Sequence, residues 1–351
     1  MKLLFTSAFC LITRLPLIVL LIVGQAFYMA AQDLHFSQLT QSPLLLNPGA
    51  TGVMDGSMRA SLDYKSQWAS MGNPYKTMMA SYDMPLFKGL KKMGYLGAGA
   101  YFYSDKAGDA HLGTNSANLL LSAIVPLDKQ STLSTGFNFG YGQRSANISN
   151  LQWPGQYNGY TYDPNIASGE TNLFGSFSYF DLSTGVHYQF LKSSGGTAEG
   201  KDIFKINAGI AYFHITQPNQ KFYSPKADPL YGKIVFNTTV RYDIPQTKIG
   251  ILPTVIYMMQ GPAHELDLGA SIRYKVSEGT KITGFLTQSA ISAGVLYRAN
   301  DAIIPQLFLE YANLGFGLSY DINTQATHKA GGLEISLRYS NMRDALFQGK
   351  K

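Results

Sequence analysis

The chain has 351 residues, of which only 14% are charged, and it contains 35 Gly, 23 Tyr and 20 Phe. This charge content lies well below the roughly 25% of soluble domains and indicates a β-protein rich in aromatic strands rather than a cytosolic enzyme. The net charge is +6 and no basic run is longer than Lys91-Lys92, so the sequence gives no reason to expect a nucleic-acid partner. The single cysteine, Cys10, lies in the N-terminal leader, which excludes disulfides and cysteine chemistry in the mature chain.

The N-terminus has the pattern of a secretory signal. Lys2 and Arg14 are the only charges before Asp33, and an apolar run over 15–23 is followed by small residues that end at Ala31. The run is too short to predict a membrane span. We therefore predict a signal peptide over 1–31 with cleavage after Ala31; an uncleaved anchor is the alternative.

The rest of the chain shows a period of two. Runs of about ten residues alternate apolar with small or polar side chains and often end in tyrosine, as is typical of tilted transmembrane strands with an aromatic girdle. One such run has on its apolar face Leu133, Thr135, Phe137, Phe139 and Tyr141. A soluble sandwich would alternate too, but it does not need aromatic strand ends.

The number of such runs predicts the fold class. We expect about 14 strands, an even number as in closed single-chain barrels, because no strand edge can face lipid. The predicted starts lie near residues 59, 75, 94, 115, 132, 175, 203, 232, 248, 264, 283, 303, 314 and 331. The sequence thus predicts an all-β, closed antiparallel transmembrane β-barrel over 59–340. The signal is weakest over 59–68, which is polar, and over 280–298, which fits one strand or two.

The connections fit a barrel whose N-terminus is periplasmic. Outer-membrane barrels have short periplasmic turns and longer outer loops. Short turns are predicted at 126–131, 244–247, 276–280 and 312–313, and long loops at 104–115, 145–172, 216–232 and 323–331. The turns at 86–94 and 192–202 are longer than this rule predicts.

The longest predicted loop carries aromatic side chains between two prolines. Exposed aromatics on a stiffened loop indicate a contact surface for a partner. The residues of this hypothesis are Trp153, Tyr157, Tyr160 and Tyr162. The alternative is a loop that folds over the mouth of the barrel.

Charged residues of both signs fall on the predicted inner face of the strands. They are Lys205, Lys233, Arg241, Glu265, Asp267, Arg273, Lys275, Glu310, Glu334 and Arg338. A selective pore would favour one sign, so mixed signs favour a lumen held shut by ion pairs.

The sequence shows no signature of catalysis. The six histidines do not stand at metal-ligand spacing, and no motif marks a serine hydrolase or a cation loop. We expect no catalytic residue, no metal and no cofactor, and hence a protein that is not an enzyme.

Seven short stretches follow one another along the mature chain: FSQ, PLLLNP, QW, FDLSTGV, YRANDA, LSYD and LEISLRY. Together, and in this order, they resemble the PorP/SprF family, outer-membrane proteins of the type IX secretion system of Bacteroidetes. Their family-motif residues are Phe36, Gln38, Leu44, Asn47, Pro48, Gly52, Gln67, Trp68, Asp181, Gly185, Arg298, Asp301, Tyr320, Asp321 and Glu334. The chain departs from the family in reading NPGATG, where NPAYAG is more frequent.

The resemblance implies a function without catalysis. Such barrels support export or surface anchoring of a large adhesin-like cargo with a C-terminal sorting domain, in systems that include gliding motility. Implied partners are periplasmic lipoprotein or peptidoglycan-binding components, together with outer-membrane lipid. The alternative function is a channel for hydrophobic or small solutes, similar in strand number to fatty-acid transporters.

The stretch SPLLLNPGATG precedes the first predicted strand. Three leucines would cost up to about 2 kcal/mol each if left in water, so we expect Leu44, Leu45 and Leu46 to enter the periplasmic mouth or the lumen. The turn at 47–49 would then direct the chain into strand one. We therefore predict a periplasmic or plug-like segment over 32–58, with a docking strip for a periplasmic partner as the alternative, and a periplasmic tail over 341–351.

Overall fold

The structure is a computed structural model. It describes residues 36–68, 74–89, 94–108, 112–146, 151–169, 176–197, 200–220, 229–277, 289–324 and 331–341. The predicted signal peptide and most of the predicted tail therefore lie outside the described residues.

Fourteen strands form the described part of the chain, as predicted. They are β1 (Met58–Gln67), β2 (Tyr75–Leu86), β3 (Tyr95–Ala107), β4 (Leu112–Pro126), β5 (Ser131–Ser145), β6 (Ser176–Thr197), β7 (Gly200–Phe213), β8 (Lys233–Asp243), β9 (Ile249–Gln260), β10 (Ala263–Ser277), β11 (Ser289–Arg298), β12 (Ala302–Tyr311), β13 (Leu314–Asn323) and β14 (Gly332–Asn341).

The strands close into a single antiparallel barrel. Each strand pairs with its neighbours in sequence, and β1 pairs with β14 over their full length, from Met58 opposite Asn341 to Gln67 opposite Gly332. Closure gives both sides of every strand a backbone partner, which a sheet in lipid requires.

The period-two pattern places apolar residues outside and mostly polar or small residues inside, although a group of apolar side chains such as Leu120 and Ile256 also faces the lumen. In β4, Asn118 and Ser122 are buried, whereas their neighbours Leu119 and Leu121 are exposed on the outer face. Strand β1 follows the same rule: its inward side chains include Ser61, Asp63 and Lys65, so the polar stretch over 59–68 lines the lumen.

The two ends of the barrel differ in the length of their connections. At the end that holds the start of β1 and the end of β14, connections include 87–94, 127–130, 244–248 and 312–313. At the opposite end, called the loop end below, they include 146–175, 214–232 and 324–331, but also short turns such as 261–262. This asymmetry supports placing the loop end outside the cell.

Two predicted connections are shorter than the sequence indicated. Strands β3 and β4 pair as far as Ala107 opposite Leu112, so the predicted loop over 104–115 is mostly hairpin. Strands β6 and β7 pair as far as Thr197 opposite Gly200, so the turn over 192–202 is tight. The sequences of these extensions lack the apolar alternation that marks a strand in lipid, so the sequence pattern does not reveal them. The predicted strand start near 283 lies outside the described residues; β11 is described from Ser289.

Residues 36–57, called the lumenal segment below, run through the inside of the barrel. They contain a 3₁₀ turn (Leu39–Gln41), one turn of α-helix, α1 (Pro43–Leu46), and a second 3₁₀ turn (Pro48–Ala50). Among the described residues, no helix has the length and apolar character needed to cross a bilayer.

Candidate functional site

The lumenal segment begins with a stretch that the barrel wall holds by its main chain. The carboxylate of Glu334 accepts from two successive backbone amides, Oε2 from Ser37 at 2.6 Å and Oε1 from Gln38 at 2.7 Å. The side chain of Gln306 donates to the carbonyl of Ser37 at 3.1 Å. Glu334 is fully buried, and a buried carboxylate needs such donors.

The hydroxyl of Ser37 lies at the centre of a charged cluster. It donates to Asp321 Oδ1 at 2.6 Å and accepts from Lys65 Nζ at 2.9 Å and from Arg298 Nη2 at 3.2 Å. Lys65, whose side chain is fully buried, pairs with Asp321 at 2.9 Å and stands 3.9 Å from Glu334. Strands β1, β11, β13 and β14, which lie on one side of the barrel, therefore share one ionic network with the lumenal segment.

Arg298 extends this network toward β10. Its guanidinium lies 3.2 Å from Asp321, 3.4 Å from both Glu265 and Asp267, and 3.4 Å from Asp301 in the outer turn. Because the arginine side chain is almost wholly buried, removing its charge would leave several carboxylates without their cation.

The side chain of Gln38 occupies a niche next to Ser319 and Ser336. Its amide nitrogen donates to Ser319 Oγ at 3.2 Å, and its oxygen accepts from Ser336 Oγ at 2.8 Å. Gly317 forms the floor of the niche, because a Cβ at this position would collide with the Gln38 oxygen. The niche therefore fits the Gln38 side chain closely and offers its amide both a donor and an acceptor.

The middle of the lumenal segment is apolar. Four of its side chains, Phe36, Leu39, Leu44 and Leu46, are buried in one cluster with inward-facing side chains of β2, β3, β4, β7, β8 and β9. The wall residues of this cluster are Met79, Tyr101, Tyr103, Leu120, Ala211, Phe213, Val235, Ile256 and Met258. The segment thus bridges the lumen from one wall to the other.

The side chain of Asn47 holds the turn of the lumenal segment through hydrogen bonds to the backbone of β6 and β7. The Asn47 amide donates to the carbonyls of Val186 at 2.8 Å and Ile210 at 3.2 Å, and its oxygen accepts from the amide of Gly49 at 2.8 Å. Gly185 allows this approach, because a Cβ there would collide with the Asn47 oxygen.

The inner faces of β4 and β5 also match the shape of the lumenal segment. Ser134 donates to the carbonyl of Gly49 at 2.6 Å, and Ser122 donates to the carbonyl of Thr51 at 2.6 Å. A Cβ at Gly136 would strike the backbone of Pro48, which explains a glycine on this inward face. This wall therefore recognises the segment through close backbone contact rather than charge.

The segment leaves the lumen through a left-handed residue. Gly52 has φ +70° and donates its amide to Asp83 at 2.8 Å, while Arg59 pairs with the same carboxylate at 2.7 Å. Beyond it, Lys88 donates to the carbonyl of Met54 at 2.5 Å, and burial lowers the pKa of Lys88. These contacts fix the junction between the segment and β1.

A narrow cleft opens on the loop-end side of the segment. Leu39 and Leu45 form its floor, and Asp181 with His214, whose Nδ1 lies 2.8 Å from Asp181 Oδ2, forms part of its rim. Lys233 stands above the Phe213 ring at 5.9 Å. The cleft is lined by both polar and aromatic groups.

The charged residues predicted for the inner face are half-buried or buried and engage opposite charges or rings. Arg273 pairs with Glu310 at 2.6 Å, and Asp243 joins Arg241 at 2.9 Å with Lys275 at 3.2 Å. Within the described ranges, no group of three or more His, Asp or Glu side chains could hold a metal ion. These ion pairs connect nearby strands of the wall with each other, and Lys205 also pairs with Asp55 of the lumenal segment.

The four aromatic residues of the outer loop take two positions. Tyr160 is 94% exposed and Tyr157 is 57% exposed, whereas Trp153 and Tyr162 are half-buried. Tyr157 forms an isolated bridge with Tyr162, and Asn158 Oδ1 accepts from the amides of Tyr160 and Thr161 at 2.9 Å each. The loop tip therefore has its own structure and presents tyrosine to solvent.

The structure brings two groups of motif residues together. Gln38, Arg298, Asp301, Asp321 and Glu334 meet in the charged cluster or at its edge. Phe36, Leu44, Asn47, Pro48, Gly52 and Gly185 belong to the lumenal segment or its seat.

Other motif residues lie apart from the lumenal segment. Trp68 packs edge-on against Tyr75 at 4.7 Å, Gln67 lies beside Gly332, and Tyr320 points to the outer face. Asp181 holds His214.

Sequence reasoning missed three central residues of the site. Lys65, Ser37 and Gln306 complete the charged cluster and its hold on the main chain. The alternation of β1 carried a signal for Lys65, because Ser61, Asp63 and Lys65 share one face of a strand. For Gln306, opposite a chain segment 269 residues away, the sequence carries no such signal.

The closed barrel, its apolar outer face and its polar occupied lumen define an outer-membrane β-barrel protein. Residues 28–339 match the model of the type IX secretion system membrane protein PorP/SprF. The chain belongs to this PorP/SprF family, as the resemblance predicted, and its location is the outer membrane.

Solved structures share the barrel architecture at low identity. The chain is similar to the CymD monoaromatic hydrocarbon channel at 13% identity and a TM-score of 0.49, covering 92% of this chain and 96% of that one. It is also similar to a Pseudomonas aeruginosa FadL homologue at 10% identity and a TM-score of 0.47, covering 85% and 93%. At such identities the similarity concerns fold and nothing else. No curated protein matches the chain.

Proposed function

We propose that this protein is a non-enzymatic barrel of the type IX secretion system that supports export or surface anchoring of one large, adhesin-like cargo with a C-terminal sorting domain. Family membership over residues 28–339 is the observation that carries the proposal. Membership implies work with other components of that system. Contact with periplasmic lipoprotein or peptidoglycan-binding components through the turns and the tail is part of the same proposal.

The occupied lumen supports an accessory role over transport through this barrel. Glu334 on β14 binds the main chain of the lumenal segment, and apolar side chains of the same segment pack in a cluster that includes Ala211 on β7, on the opposite side of the barrel. In this conformation the segment stands in the path of a solute. We therefore assign the contact surface for the cargo to the outer side of the barrel, at the tip of the loop that exposes Tyr157 and Tyr160.

Gene deletion followed by proteomics of the cell surface tests the proposal. We expect loss of a single large adhesin-like protein from the surface, restored by the wild-type gene. The variant Tyr157→Ser/Tyr160→Ser should reach the outer membrane and fail to restore display. Tyr231→Ser, which alters another exposed tyrosine at the loop end, is the matched control and should restore it. Unchanged display of every large surface protein after deletion contradicts the proposal.

Planar bilayers test the alternative of a solute channel. We expect the purified protein to be electrically silent because the lumenal segment is seated in the wall by buried hydrogen bonds. Steady conductance of the wild-type protein would favour the channel.

A further inference from the structure

We propose that the inner wall of this barrel is a peptide-binding site, which the protein's own residues 36–53 occupy in cis, and which binds an extended peptide of the type aromatic-Ser-Gln in trans when this segment is released. The proposal does not depend on the identity of any cargo.

The first argument is recognition of the main chain. Glu334 uses both carboxylate oxygens on consecutive backbone amides, and Gln306 donates to the intervening carbonyl. Peptide-binding proteins obtain affinity from such main-chain hydrogen bonds, which any extended peptide can offer. Neither group is needed to close the barrel, because the strand backbones already pair with each other.

The second argument is selection of side chains. The Ser37 hydroxyl joins Asp321, Lys65 and Arg298 within 3.2 Å. An alanine in place of this serine would leave these buried charges without a shared partner, and a larger residue would not fit between them. The Gln38 side chain fits the niche over Gly317, between the hydroxyls of two serines. The wall therefore has separate sites for a serine and for the glutamine that follows it, and the ring of the preceding residue, Phe36, is buried.

The third argument is that the segment has no fold of its own. Its helical turns are three or four residues long, which is too short to be stable in water. Its conformation is imposed by the wall, as that of a peptide ligand is imposed by its receptor. Only residues 54–57 connect it to β1, and the Asp55 side chain is half exposed.

The covalent link between the lumenal segment and β1 determines how strongly a free peptide must bind to displace the segment. A ligand held on a short linker has an effective concentration on the order of mM. A free peptide of equal affinity therefore competes poorly with the uncut chain. Once the connection is cut, the same peptide should exchange at much lower concentrations.

A cleavable version of the full chain tests the proposal. A protease site is inserted between Asp55 and Gly56, and the purified protein is cut in detergent. A fluorescent peptide of residues 36–54 is then added, and its incorporation is followed by anisotropy and by co-migration with the barrel. We expect at least tenfold more labelled peptide in the cut protein than in the uncut protein.

Matched variants separate recognition from instability. Ser37→Ala and Gln38→Ala are placed in the peptide alone, so the barrel is unchanged; we expect each to bind at least tenfold more weakly. Thr40→Ala in the peptide alters none of the contacts above and should bind like the natural sequence. In the barrel, Glu334→Gln should release the peptide about tenfold faster, whereas Asp243→Asn, whose partners are Arg241 and Lys275, should not.

Two results would overturn the proposal. One is that the cut barrel keeps its own segment and takes up no labelled peptide at hundredfold excess, which makes the segment a permanent part of the wall. The other is that the Ser37→Ala and Gln38→Ala peptides bind as tightly as the natural peptide, which removes the sequence recognition.

Discussion

The two walls that hold the lumenal segment use different physics. The wall of β1 and β11–β14 holds residues 37–38 with buried charges, among them Lys65, Arg298 and Glu334. The wall of β4–β7 holds residues 47–51 with glycines, serine hydroxyls and strand carbonyls. We call them the ionic wall and the glycine wall.

The ionic wall holds the lumenal segment mainly through buried charge pairs, whereas the glycine wall holds it mainly through a close steric fit. Buried charges are costly unless all partners are present, so the ionic wall should respond strongly to loss of one partner. The glycine wall gains little from any one hydrogen bond, but its close backbone approach leaves no room for an added atom. A change of charge should therefore break the first wall and a change of volume the second.

The largest effect is expected at the centre of the ionic wall. Arg298→Met keeps volume and removes the cation shared by Glu265, Asp267 and Asp321. We expect a loss of about 3–5 kcal/mol in the free energy of unfolding, because buried carboxylates lose their partner. Urea unfolding in lipid vesicles measures it.

Arg241→Met is the control for the charge itself. Asp243 keeps Lys275 at 3.2 Å after this change, so the loss should be clearly smaller. Equal losses in the two variants would show that the ionic wall has no special role.

The next effect is expected from volume in the glycine wall. Gly136→Ala places a Cβ against the backbone of Pro48, and overpacking of this kind costs about 1–3 kcal/mol. Because the backbone of the segment cannot rotate away, we expect it to be displaced. Limited proteolysis between residues 53 and 57 should become faster.

Gly140→Ala is the matched control on the same strand and the same face. Its Cβ meets the side-chain oxygen of Asn118, which can rotate, and no atom of the segment. Proteolysis of this variant should match the wild-type rate; equal acceleration in both variants would point to a general weakening of β5.

A smaller effect is expected when the glycine wall loses hydrogen bonds without gaining volume. Asn47→Ala removes the donor to Val186 and Ile210 and the acceptor for Gly49. We expect about 1.5–2 kcal/mol, the lower end of the net value of three buried hydrogen bonds, because the two strand carbonyls keep their partners in the sheet. Amide exchange of Gly49 should accelerate while that of the ionic-wall strands stays unchanged; acceleration throughout the barrel would contradict the separation of the walls.

The smallest effect lies outside both walls. The amides of Gln130 and Ser131 donate to Asp128 in the turn 127–130 and lower the pKa of its carboxyl. A carboxyl whose folded pKa is depressed contributes stability above its unfolded pKa of about 4 and loses it as the pH falls through the folded value. Asp128→Asn should reduce the acid-dependent part of the unfolding free energy below pH 4 and leave both walls intact. An unchanged acid profile would contradict this role.

The strands could be predicted from the sequence, whereas the contents of the lumen could not. Alternation in lipid is enforced residue by residue, so Leu119 and Asn118 alone reveal which face is outside. The charged cluster around the lumenal segment depends on pairs such as Ser37 and Glu334, which are 297 residues apart in sequence. Such residues come together only when the barrel closes, so no local sequence pattern reveals the pair. The alternation of the other strands predicts the inner-face charges, whereas the polar composition of β1 on both faces hides the same alternation at Lys65.

The seam between β1 and β14 has a consequence for assembly of the molecule. Ser37 is bound by Asp321 on β13 and by Glu334 on β14, which lie 284 and 297 residues further along the chain. Contacts of such long sequence separation form late and slowly. The bound position of residues 37–38 therefore exists only when β13 and β14 are in place, so seating the lumenal segment and closing the barrel between β1 and β14 are coupled.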